Sequence, residues 1–409
     1  MKSILTKIGK AFSTLKRSGL IGGGKKGWHY VKLTSKLLFK IGRGDVLIIT
    51  GGIGDSAHYR AFNQAEELNA HGIKTAITLQ ENPRLLKLID TFQVFIFRRT
   101  IETDKLKKVL QKIKTQNKTV VFETDDLVFD PHFIQNTDLY KNKMTALEKL
   151  EYKKGLGIEI LTDPYTKTCV TSTSYLAKIL EGYGKKVFIS KNKICNKEVE
   201  IAQKLVKDNP KTALDEVRVG YYSGTSSHDL DFAEIAEAML NILEKYPQVR
   251  LVLGGPLKID ARFEKYTAQT LRLPLALREK YYDNLYLADI NLAPLVLSDP
   301  FCEAKSEIKF LEAGILGIPT VAIKNQTFSE SIVDGTDGFL AGNKEEWQRK
   351  LEQLIESPEL RQKIGLQAQA KIIKDSTTKN SHNEEYYDYL RKICHSRVGG
   401  NDTVYGIFL

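Results

Sequence analysis

The segment DVLIITGGIGDSA, residues 45–57, runs from a short apolar stretch through a glycine turn into a helix. Val46–Ile49 is typical of a buried strand, because its apolar residues are bounded by turn-forming residues. The same rhythm predicts five more strands, at Lys74–Leu79, Gln93–Phe97, Thr119–Glu123, Thr168–Val170 and Val187–Ile189. Helices are predicted between them, among them Ala57–His71, Asp104–Gln116 and Ser174–Gly182. Alternating strands and helices predict βαβ units and a parallel sheet covered on both faces.

A second run of this rhythm follows a polar, lysine-rich linker at residues 191–216, which is predicted to carry a short helix. Its predicted strands are Val217–Tyr222, Val249–Leu253, Ile290–Leu295, Thr320–Ile323 and Phe339–Leu340, and its predicted helices are Asp231–Lys245, Glu307–Leu316, Glu345–Ile355 and Pro358–Lys371. We therefore predict an α/β protein with two doubly wound Rossmann-like domains facing a cleft, at residues 45–190 and 217–375. A C-terminal helix is predicted within 376–395 and an irregular tail at 396–409. Ligands of such sheets bind outside the carboxyl ends of the strands.

The positive charge of the chain is concentrated at its beginning. The 409 residues carry a formal charge of +11, yet residues 1–45 alone hold eleven Lys or Arg and one acid. The nearly neutral remainder argues against nucleic acid as a partner. Apolar residues at helical spacing (Ile4, Leu5, Ile8, Phe12 and Leu15) predict that residues 1–44 form a basic amphipathic leader, with a break at Gly22–Gly24. Such a leader can lie on an anionic membrane, although packing on the protein itself and nucleic-acid binding remain alternatives.

The composition also limits where the protein is expected to act. No apolar run approaches the ~20 residues that a membrane span needs, and the beginning lacks the apolar core of a secretory signal. Cys169, Cys195, Cys302 and Cys394 are far apart without a C-x-x-C pair, so a zinc cage or disulfide framework is not expected. We predict a cytoplasmic protein, peripheral on the inner face of the cytoplasmic membrane.

The first glycine turn contains Gly52-x-Gly54-x-x-Ala57 between a strand and a helix, which resembles a dinucleotide-binding fingerprint. The acidic residue that would hold a ribose is only roughly matched by Glu81, and the chain has no Tyr-x-x-x-Lys of short-chain reductases. We therefore favour a turn at which Gly52 and Gly54 admit a ligand to the cleft, with Arg60 of the next helix facing it.

Two adjacent carboxylates, Asp125 and Asp126, follow the predicted strand Thr119–Glu123. At a strand end they could bind a metal, act as a base or accept hydrogen bonds from sugar hydroxyls, and the alternative is capping of a turn. Because no histidine cluster is near, we favour substrate contact and predict no metal site.

The turn YYSGTSSH, residues 221–228, follows the first strand of the second domain. Small hydroxyl residues, a glycine and free backbone N–H groups suit a phosphate, whereas an ordinary Ser/Gly loop is the alternative. Asp231 is expected to cap the next helix, with Glu234 three residues on.

The segment EAKSEIKFLEAG, residues 303–314, combines cations and carboxylates at a predicted helix start, with Ser306 as its cap. At 100° per residue, Lys305, Lys309 and Glu312 fall on one flank of the helix. Two cations suit a diphosphate and the carboxylate suits a ribose. The alternative is a Lys309–Glu312 surface pair, worth only ~0.3 kcal/mol.

From this segment onward the chain resembles a known family. EAGILGIPTVA at 312–322 and IVDGTDGFL at 332–340 resemble the nucleotide-sugar site of GT-B glycosyltransferases of family 4, also called group 1. The agreement extends to GYYSGTSSHD at 220–229, LVLGG at 251–255 and DINLAPL at 289–295. The chain is most similar to the bacterial branch that builds surface polysaccharides, including rhamnosyltransferases.

This resemblance implies roles for single residues. In the family two glutamates eight residues apart bracket the donor site, and the second, which binds the ribose, falls on Glu312. The first falls on Ala304, with Glu303 or Glu307 as possible substitutes. His228 falls where the family has a lysine.

The family's arginine position lies in the Ser223–Thr225 turn, so Lys305 and Lys309 are expected to supply the positive charge. The resemblance also implies retention of anomeric configuration, no cofactor and no required metal.

We predict a glycosyltransferase that moves a hexose from a nucleoside-diphosphate sugar to a lipid-linked or polysaccharide acceptor in cell-envelope glycan synthesis. The alternatives are a GT-B sugar-nucleotide epimerase and a non-catalytic nucleotide-sugar-binding protein. Lys305 and Glu312 are predicted to be catalytic. The predicted donor-binding residues are Ser223, Gly224, Thr225, His228, Lys305, Ser306, Lys309 and Glu312, and the predicted acceptor-side or cleft residues are Gly52, Gly54, Arg60, Asp125 and Asp126.

Overall fold

The computed structural model describes residues 20–137, 139–211, 216–225 and 228–395, which divide into two compact units. The first unit takes the described parts of Met1–Asn136, Met144–Lys193 and Ser381–Leu409, and the second those of Thr137–Lys143 and Ile194–Asn380. The amphipathic pattern predicted before residue 20, Ser226, Ser227 and the predicted tail at 396–409 lie outside the described residues.

The first unit is built on a parallel sheet of six strands in the order β2-β1-β3-β4-β5-β6. The strands are β1 Val46–Thr50, β2 Thr75–Leu79, β3 Val94–Arg98, β4 Thr119–Thr124, β5 Thr168–Thr171 and β6 Lys186–Ile189. Every residue of β1 and β3 is buried, as expected for strands covered on both faces. The strand order reverses between β1 and β3, which makes that point of the sheet the preferred place for a ligand.

Helices cover this sheet and are set by local capping. Asp104–Thr115, for example, begins where Thr103 Oγ1 accepts a hydrogen bond from Leu106 N at 3.1 Å, as N-cap threonines do. The described helices of the first unit are Leu20–Phe39, Asp55–Ala57, the π-helical turn His58–Asn63, Gln64–Ala70, Leu85–Leu88, Asp104–Thr115, the 3₁₀ turn Leu127–Phe129, Pro131–Asn136, Ala146–Tyr152, Ile158–Leu161, Ser174–Glu181 and Glu384–His395.

The glycine run at 22–24 does not interrupt the leader, because the helix Leu20–Phe39 passes through it. The predicted break is therefore wrong. Each glycine disfavours a helix by only ~1 kcal/mol, and the C-terminal part of this helix packs on the first unit. There Leu37 is buried and Thr78 Oγ1 donates a hydrogen bond to Leu37 O at 3.0 Å.

The C-terminal helix Glu384–His395 belongs to the first unit, although the second unit precedes it in the chain. Tyr386, Tyr387 and Leu390 are fully buried in the core of that unit. Tyr387 Oη donates to Glu67 Oε1 at 2.6 Å, which ties the helix to the one that follows β1.

The second unit has a parallel sheet in the order β12-β11-β10-β7-β8-β9. Its strands are β7 Val217–Tyr222, β8 Val249–Gly254, β9 Thr270–Leu273, β10 Ile290–Ala293, β11 Thr320–Ile323 and β12 Phe339–Ala341. The edge strand β9 was not predicted, because its partly exposed side chains follow no apolar pattern. Here the order reverses between β7 and β10.

The predicted helix Asp231–Lys245 is two helices, since Ile235 at φ −109° and ψ 3° is not helical. The helix predicted within the linker is present as Asn196–Asp208, which has 13 residues. The described helices of this unit are the π-helical turn Leu139–Lys143, Asn196–Asp208, Asp229–Ala233, Ala236–Lys245, the 3₁₀ segment Ala261–Gln269, Arg278–Leu285, Pro300–Glu303, Ile308–Gly314, Gln326–Ser329, Lys344–Glu356 and Pro358–Asp375.

Two general features complete the fold. All four cysteines are buried and none of them forms a disulfide. Among the described residues, no helix combines the length and the apolar character that crossing a membrane requires.

Candidate functional site

The predicted phosphate turn of the second unit lies at the switch point between β7 and β10. Ser223 Oγ donates to Thr225 O at 2.7 Å and accepts from Thr225 N at 3.3 Å, which closes the turn, and Gly224 is exposed. Gly255 directly follows the neighbouring strand β8 at φ +94°, and a Cβ there would stand 1.9 Å from Ser223 O. Only glycine therefore fits beside this turn.

Lys309 is held under the turn by backbone and aromatic contacts. Its Nζ donates to Tyr222 O and lies 4.7 Å from the ring centroid of Tyr221. Burial lowers the pKa of Lys309 to about 8, although Glu312 and Asp231 oppose the shift. Lys305 contributes to the same lowering, so the two predicted phosphate cations share one region.

His228 belongs to the same group of side chains. Its Nδ1 lies 2.6 Å from Asp231 Oδ2. Burial lowers the pKa of His228 and the hydrogen bond to Asp231 opposes this, while Lys305 and Lys309 lower it further. The structure thus brings His228, Lys305 and Lys309 together with the turn Ser223–Thr225.

Asp231 does not cap the following helix as predicted. The N-cap position is His228, which makes no side-chain cap. Instead, Asp231 Oδ1 accepts from Val296 N and from Cys302 Sγ, both at 3.3 Å. Val296 and Cys302 follow β10, so this buried carboxylate connects the segments after two adjacent strands.

Glu312, the predicted ribose ligand, is buried on the helix Ile308–Gly314. Arg278 Nη2 donates to its Oε1 at 3.0 Å and Tyr281 Oη to its Oε2 at 2.7 Å. Arg278 also donates to Glu198 Oε1 at 2.8 Å. A Lys309–Glu312 surface pair is therefore the wrong interpretation, because Glu312 is only 5% exposed.

Sequence reasoning missed Arg278 and Tyr281. Their helix, Arg278–Leu285, was not predicted because its polar sequence REKYYDNL has no apolar face. Ser306 does not cap the helix Ile308–Gly314 as predicted, because the N-cap position is Glu307. Ala304, at the position of the family's first glutamate, is fully buried, as is Glu307, whereas Glu303 is partly exposed.

The first unit has its own group of candidate residues at the carboxyl ends of β1, β3 and β4. Gly52 and Gly54 border open space, since a Cβ at either position would meet nothing within 4 Å. Gly51 is different, because a Cβ there would lie 2.0 Å from Arg99 O. Packing thus requires Gly51, while Gly52 and Gly54 leave room for a ligand.

Arg60, a predicted acceptor-side or cleft residue, does not face solvent. The side chain is 1% exposed, and Nε lies 2.6 Å from Glu123 Oε1. Arg60 Nη1 also donates to Ser190 O at 2.5 Å. The π-helical turn His58–Asn63 turns Arg60 inward, where it compensates a carboxylate that is completely buried at the end of β4.

Asp125 and Asp126 both lie beside Arg99. Arg99 Nη2 is 2.7 Å from Asp125 Oδ1 and 3.6 Å from Asp126 Oδ2. Burial would raise the pKa of Asp125, but Arg99 and Arg98 hold it well below its usual range. Asp126 Oδ1 also accepts from Leu127 N at 2.9 Å, so Asp126 does cap the next turn.

Sequence reasoning also missed Arg98 and Arg99. Arg98 is buried with its Nε 3.5 Å from Glu123 Oε2, and Arg99 has a left-handed backbone at φ +44°. A signal was present, because two arginines directly follow the apolar run Val94–Phe97. Strained non-glycine backbone of this kind clusters at functional sites.

The comparisons with known proteins agree with the geometry of the second unit. Residues 206–371 match the family of glycosyl transferases group 1. The match spans β7 to β12 and includes every predicted donor-binding residue. No curated protein shows significant sequence similarity to the chain.

Similar solved structures extend over both units. HepE from Anabaena, solved with UDP and glucose, has a TM-score of 0.54 and 14% identity over 86% of this chain and 100% of that chain. Sucrose-phosphate synthase from Thermosynechococcus elongatus has a TM-score of 0.54 and 12% identity over 87% and 100%. A glycosyltransferase from Rickettsia africae has a TM-score of 0.53 and 12% identity, and the match covers 86% of this chain and 99% of that chain. This likeness shows the fold and confirms the predicted GT-B architecture of two Rossmann-like domains.

Proposed function

We propose that the chain is a hexosyltransferase that uses a nucleoside-diphosphate sugar to extend a lipid-linked or polysaccharide acceptor of the cell envelope. One observation carries the proposal. Within the segment that matches glycosyl transferases group 1, Lys309 donates to Tyr222 O directly before the turn Ser223–Thr225, which lies at a topological switch point, and Lys305 and Lys309 are close enough to His228 to lower its pKa.

The chemistry of such a transfer demands stabilisation of the leaving diphosphate. When the anomeric C–O bond breaks, negative charge grows on the diphosphate oxygens, and cations and backbone N–H groups held in place lower that barrier. Lys305 and the turn residues Ser223, Gly224 and Thr225 are assigned to this task, and Ser306 and Lys309 support it. Within the turn, Ser223 N donates to Gly254 O at 2.9 Å and Thr225 N donates to Ser223 Oγ at 3.3 Å, so the backbone N–H group proposed for the diphosphate is that of Gly224. Glu312 is assigned to the ribose, since each carboxylate oxygen can accept a second hydrogen bond beside those from Arg278 and Tyr281.

UDP is the nucleotide we propose for the donor, because HepE, a structure of similar fold, was solved with UDP and with UDP-glucose. The transfer is proposed to retain the anomeric configuration and to need no metal.

On the first unit, Gly52, Gly54, Asp125 and Asp126 are proposed as acceptor-side residues. Open space at the two glycines and partly exposed carboxylates beside Arg99 suit sugar hydroxyls.

Residues 1–44 are proposed to hold the protein on the anionic inner face of the cytoplasmic membrane. Trp28 and Val31 on the helix Leu20–Phe39 are 73% and 59% exposed beside lysines, which supports this role.

The proposal is tested by incubating the protein with a panel of UDP-sugars and following nucleotide release with and without a membrane extract. A hexosyltransferase releases UDP much faster when the extract supplies an acceptor. An epimerase converts the sugar without any acceptor, and a non-catalytic binder does neither.

Lys305→Met is the matched variant for this assay. If Lys305 acts on the leaving group, turnover falls by tenfold or more while the dissociation constant of UDP changes less. Equal turnover of the variant and the parent would contradict the assignment of Lys305.

A further inference from the structure

His228 occupies a position where the resemblance places a lysine, and an imidazole differs from an ammonium because it gains its charge near neutral pH. The histidine side chain is 20% exposed, whereas its partner Asp231 is 4% exposed. Nδ1 is committed to Asp231 at 2.6 Å. Nε2 has no hydrogen-bond partner among the residues that the structure describes, so it is the nitrogen able to meet a ligand.

Asp231 is anchored well enough to orient this ring. One carboxylate oxygen accepts from Val296 N and Cys302 Sγ, which leaves the other for His228 Nδ1. Burial would raise the pKa of Asp231, but the hydrogen bond from His228 keeps it below its ordinary value. A buried anion therefore lies behind the imidazole, on the side away from Nε2.

Several charged or titratable groups face this pair. Lys305 and Lys309 approach from the segment after β10, and both lower the pKa of His228 after burial itself. Tyr221 and Cys302 are neutral near pH 7, because burial and nearby Asp231 raise the pKa of each. Asp229 adds a further negative charge near Tyr221. In the free protein the imidazole is thus neutral at pH 7, since burial lowers the pKa of His228 and the two lysines lower it further.

A diphosphate would reverse that balance. Its negative charges neutralise Lys305 and Lys309, and an opposite charge close to a titratable group favours the charged form of that group. Asp231 then stabilises the imidazolium from behind while a phosphate oxygen accepts a hydrogen bond from Nε2.

We propose that His228 and Asp231 form a proton-coupled diphosphate clamp, in which His228 takes up a proton when the diphosphate binds and Asp231 positions the ring and stabilises its charge. The clamp rests on the proposed function, because it requires the nucleoside diphosphate to bind at the turn Ser223–Thr225. It adds to that function a dependence of donor affinity on pH.

The test is calorimetric titration of the full chain with UDP at pH 7.0 in two buffers of different ionisation enthalpy, which counts protons taken up per UDP bound. The parent is expected to take up at least half a proton, and His228→Gln close to none. Between pH 6.5 and 7.5 the affinity of the parent should fall by up to tenfold, as linkage to one proton allows. Burial lowers the pKa of Lys309 to about 8, and this lysine is present in both proteins, so the difference between the parent and His228→Gln isolates His228.

Two further variants separate positioning from charge. His228→Lys should bind UDP with no more proton uptake than His228→Gln and with a flatter pH profile than the parent, because its cation is permanent. Asp231→Asn keeps the imidazole of His228 but should lose most of the proton uptake on UDP binding. Thermal unfolding of this variant is measured in parallel to check that it folds. Inorganic pyrophosphate replaces UDP in a parallel titration, to assign the proton to the diphosphate rather than to the base.

Equal proton uptake by the parent and His228→Gln, with UDP bound by both, would overturn the clamp and leave the proposed function standing. If the parent binds neither UDP nor GDP, ADP or TDP, the proposed function fails, and the clamp fails with it.

Discussion

At the scale of the residue, the second unit uses buried charged groups in two different ways. Asp231 and Glu312 are both buried carboxylates with hydrogen-bond donors on each oxygen. Asp231 is hydrogen-bonded to a backbone N–H, a thiol and Nδ1 of His228, which leaves Nε2 of that ring for a ligand. Glu312 accepts hydrogen bonds from Arg278 and Tyr281, so a ribose bound to Glu312 would have to use the same carboxylate oxygens as these two side chains.

Glu312→Ala is expected to weaken UDP binding by several kcal/mol at most, since hydrogen bonds to a charged group contribute ~1.5–3 kcal/mol each. Tyr281→Phe is the matched control, because it removes one donor to Glu312 and keeps the carboxylate. It should cost about 1–3 kcal/mol of unfolding free energy with little change in UDP affinity. Calorimetry and urea unfolding measure the two effects. Equal losses of affinity in both variants would show that Glu312 acts only as part of the fold.

Glu159 in the first unit gives a prediction on pH. Burial raises the pKa of Glu159 to about 7, and its buried Oε1 has no hydrogen-bond partner among the described residues. An acid whose pKa is raised by folding holds its proton longer in the folded state, so stability falls as pH rises from about 4.5 to 7.

Glu159→Gln should remove this loss and stabilise the protein by on the order of 2 kcal/mol at pH 8, with little effect at pH 4.5. Unfolding free energies at the two pH values check it. A gain of the same size at both would mean that the charge of Glu159 is not the cause.

At the scale of the element, the turn between β1 and the next helix contains one glycine that packing requires and two that packing does not require. Gly51→Ala must move Arg99 and should cost about 1–3 kcal/mol of unfolding free energy, as overpacking does. Gly52→Ala and Gly54→Ala meet no neighbour and should change stability by no more than about 0.5 kcal/mol.

Thermal unfolding and turnover together test this turn. If the acceptor approaches the backbone here, the two tolerated variants lose turnover without losing stability. Full activity in both would remove Gly52 and Gly54 from the acceptor side.

The returning helix Glu384–His395 depends on a buried polar contact. Tyr387→Phe leaves the buried carboxylate of Glu67 without its 2.6 Å donor, which should cost about 1–3 kcal/mol. Tyr389→Phe removes a part-buried bond to Thr168 at 2.7 Å and should cost less. Urea unfolding compares them, and a larger loss in Tyr389→Phe would contradict this ranking.

At the scale of the whole molecule, the leader at residues 1–44 has both a side chain buried on the first unit and apolar side chains exposed to solvent. Leu37 is buried on the first unit, whereas Trp28 and Val31 are exposed. Deleting residues 1–35 keeps Leu37 and removes eight of the eleven basic residues of the leader. The truncated protein should leave anionic vesicles, because each basic residue near such a surface contributes about 1 kcal/mol, while its affinity for UDP stays unchanged.

Sedimentation with phosphatidylserine vesicles measures this release, and phosphatidylcholine vesicles are the control. Added salt should weaken binding of the full chain, since it screens charges over ~8–10 Å. Equal sedimentation of the two proteins would rule out the leader as the membrane contact.

The sequence by itself determined the two parallel sheets and most strand positions, because buried strands are short apolar runs that local patterns reveal. It also located the segments around Ser223–Thr225 and Lys305–Glu312, since glycines, hydroxyls and lysines cluster there within a few residues. The edge strand β9 and the helix Arg278–Leu285 escaped, because neither has an apolar face.

Only the tertiary structure decided which side chains meet. Arg60 with Glu123, Arg278 with Glu312, and Asp231 with Cys302 are 63, 34 and 71 residues apart in the chain. Parallel sheets bring the ends of distant strands to one edge, and a buried charge then selects its partner by distance and desolvation rather than by position in the sequence. That is why the sequence could name Arg60 and Asp231 but assigned both the wrong partners.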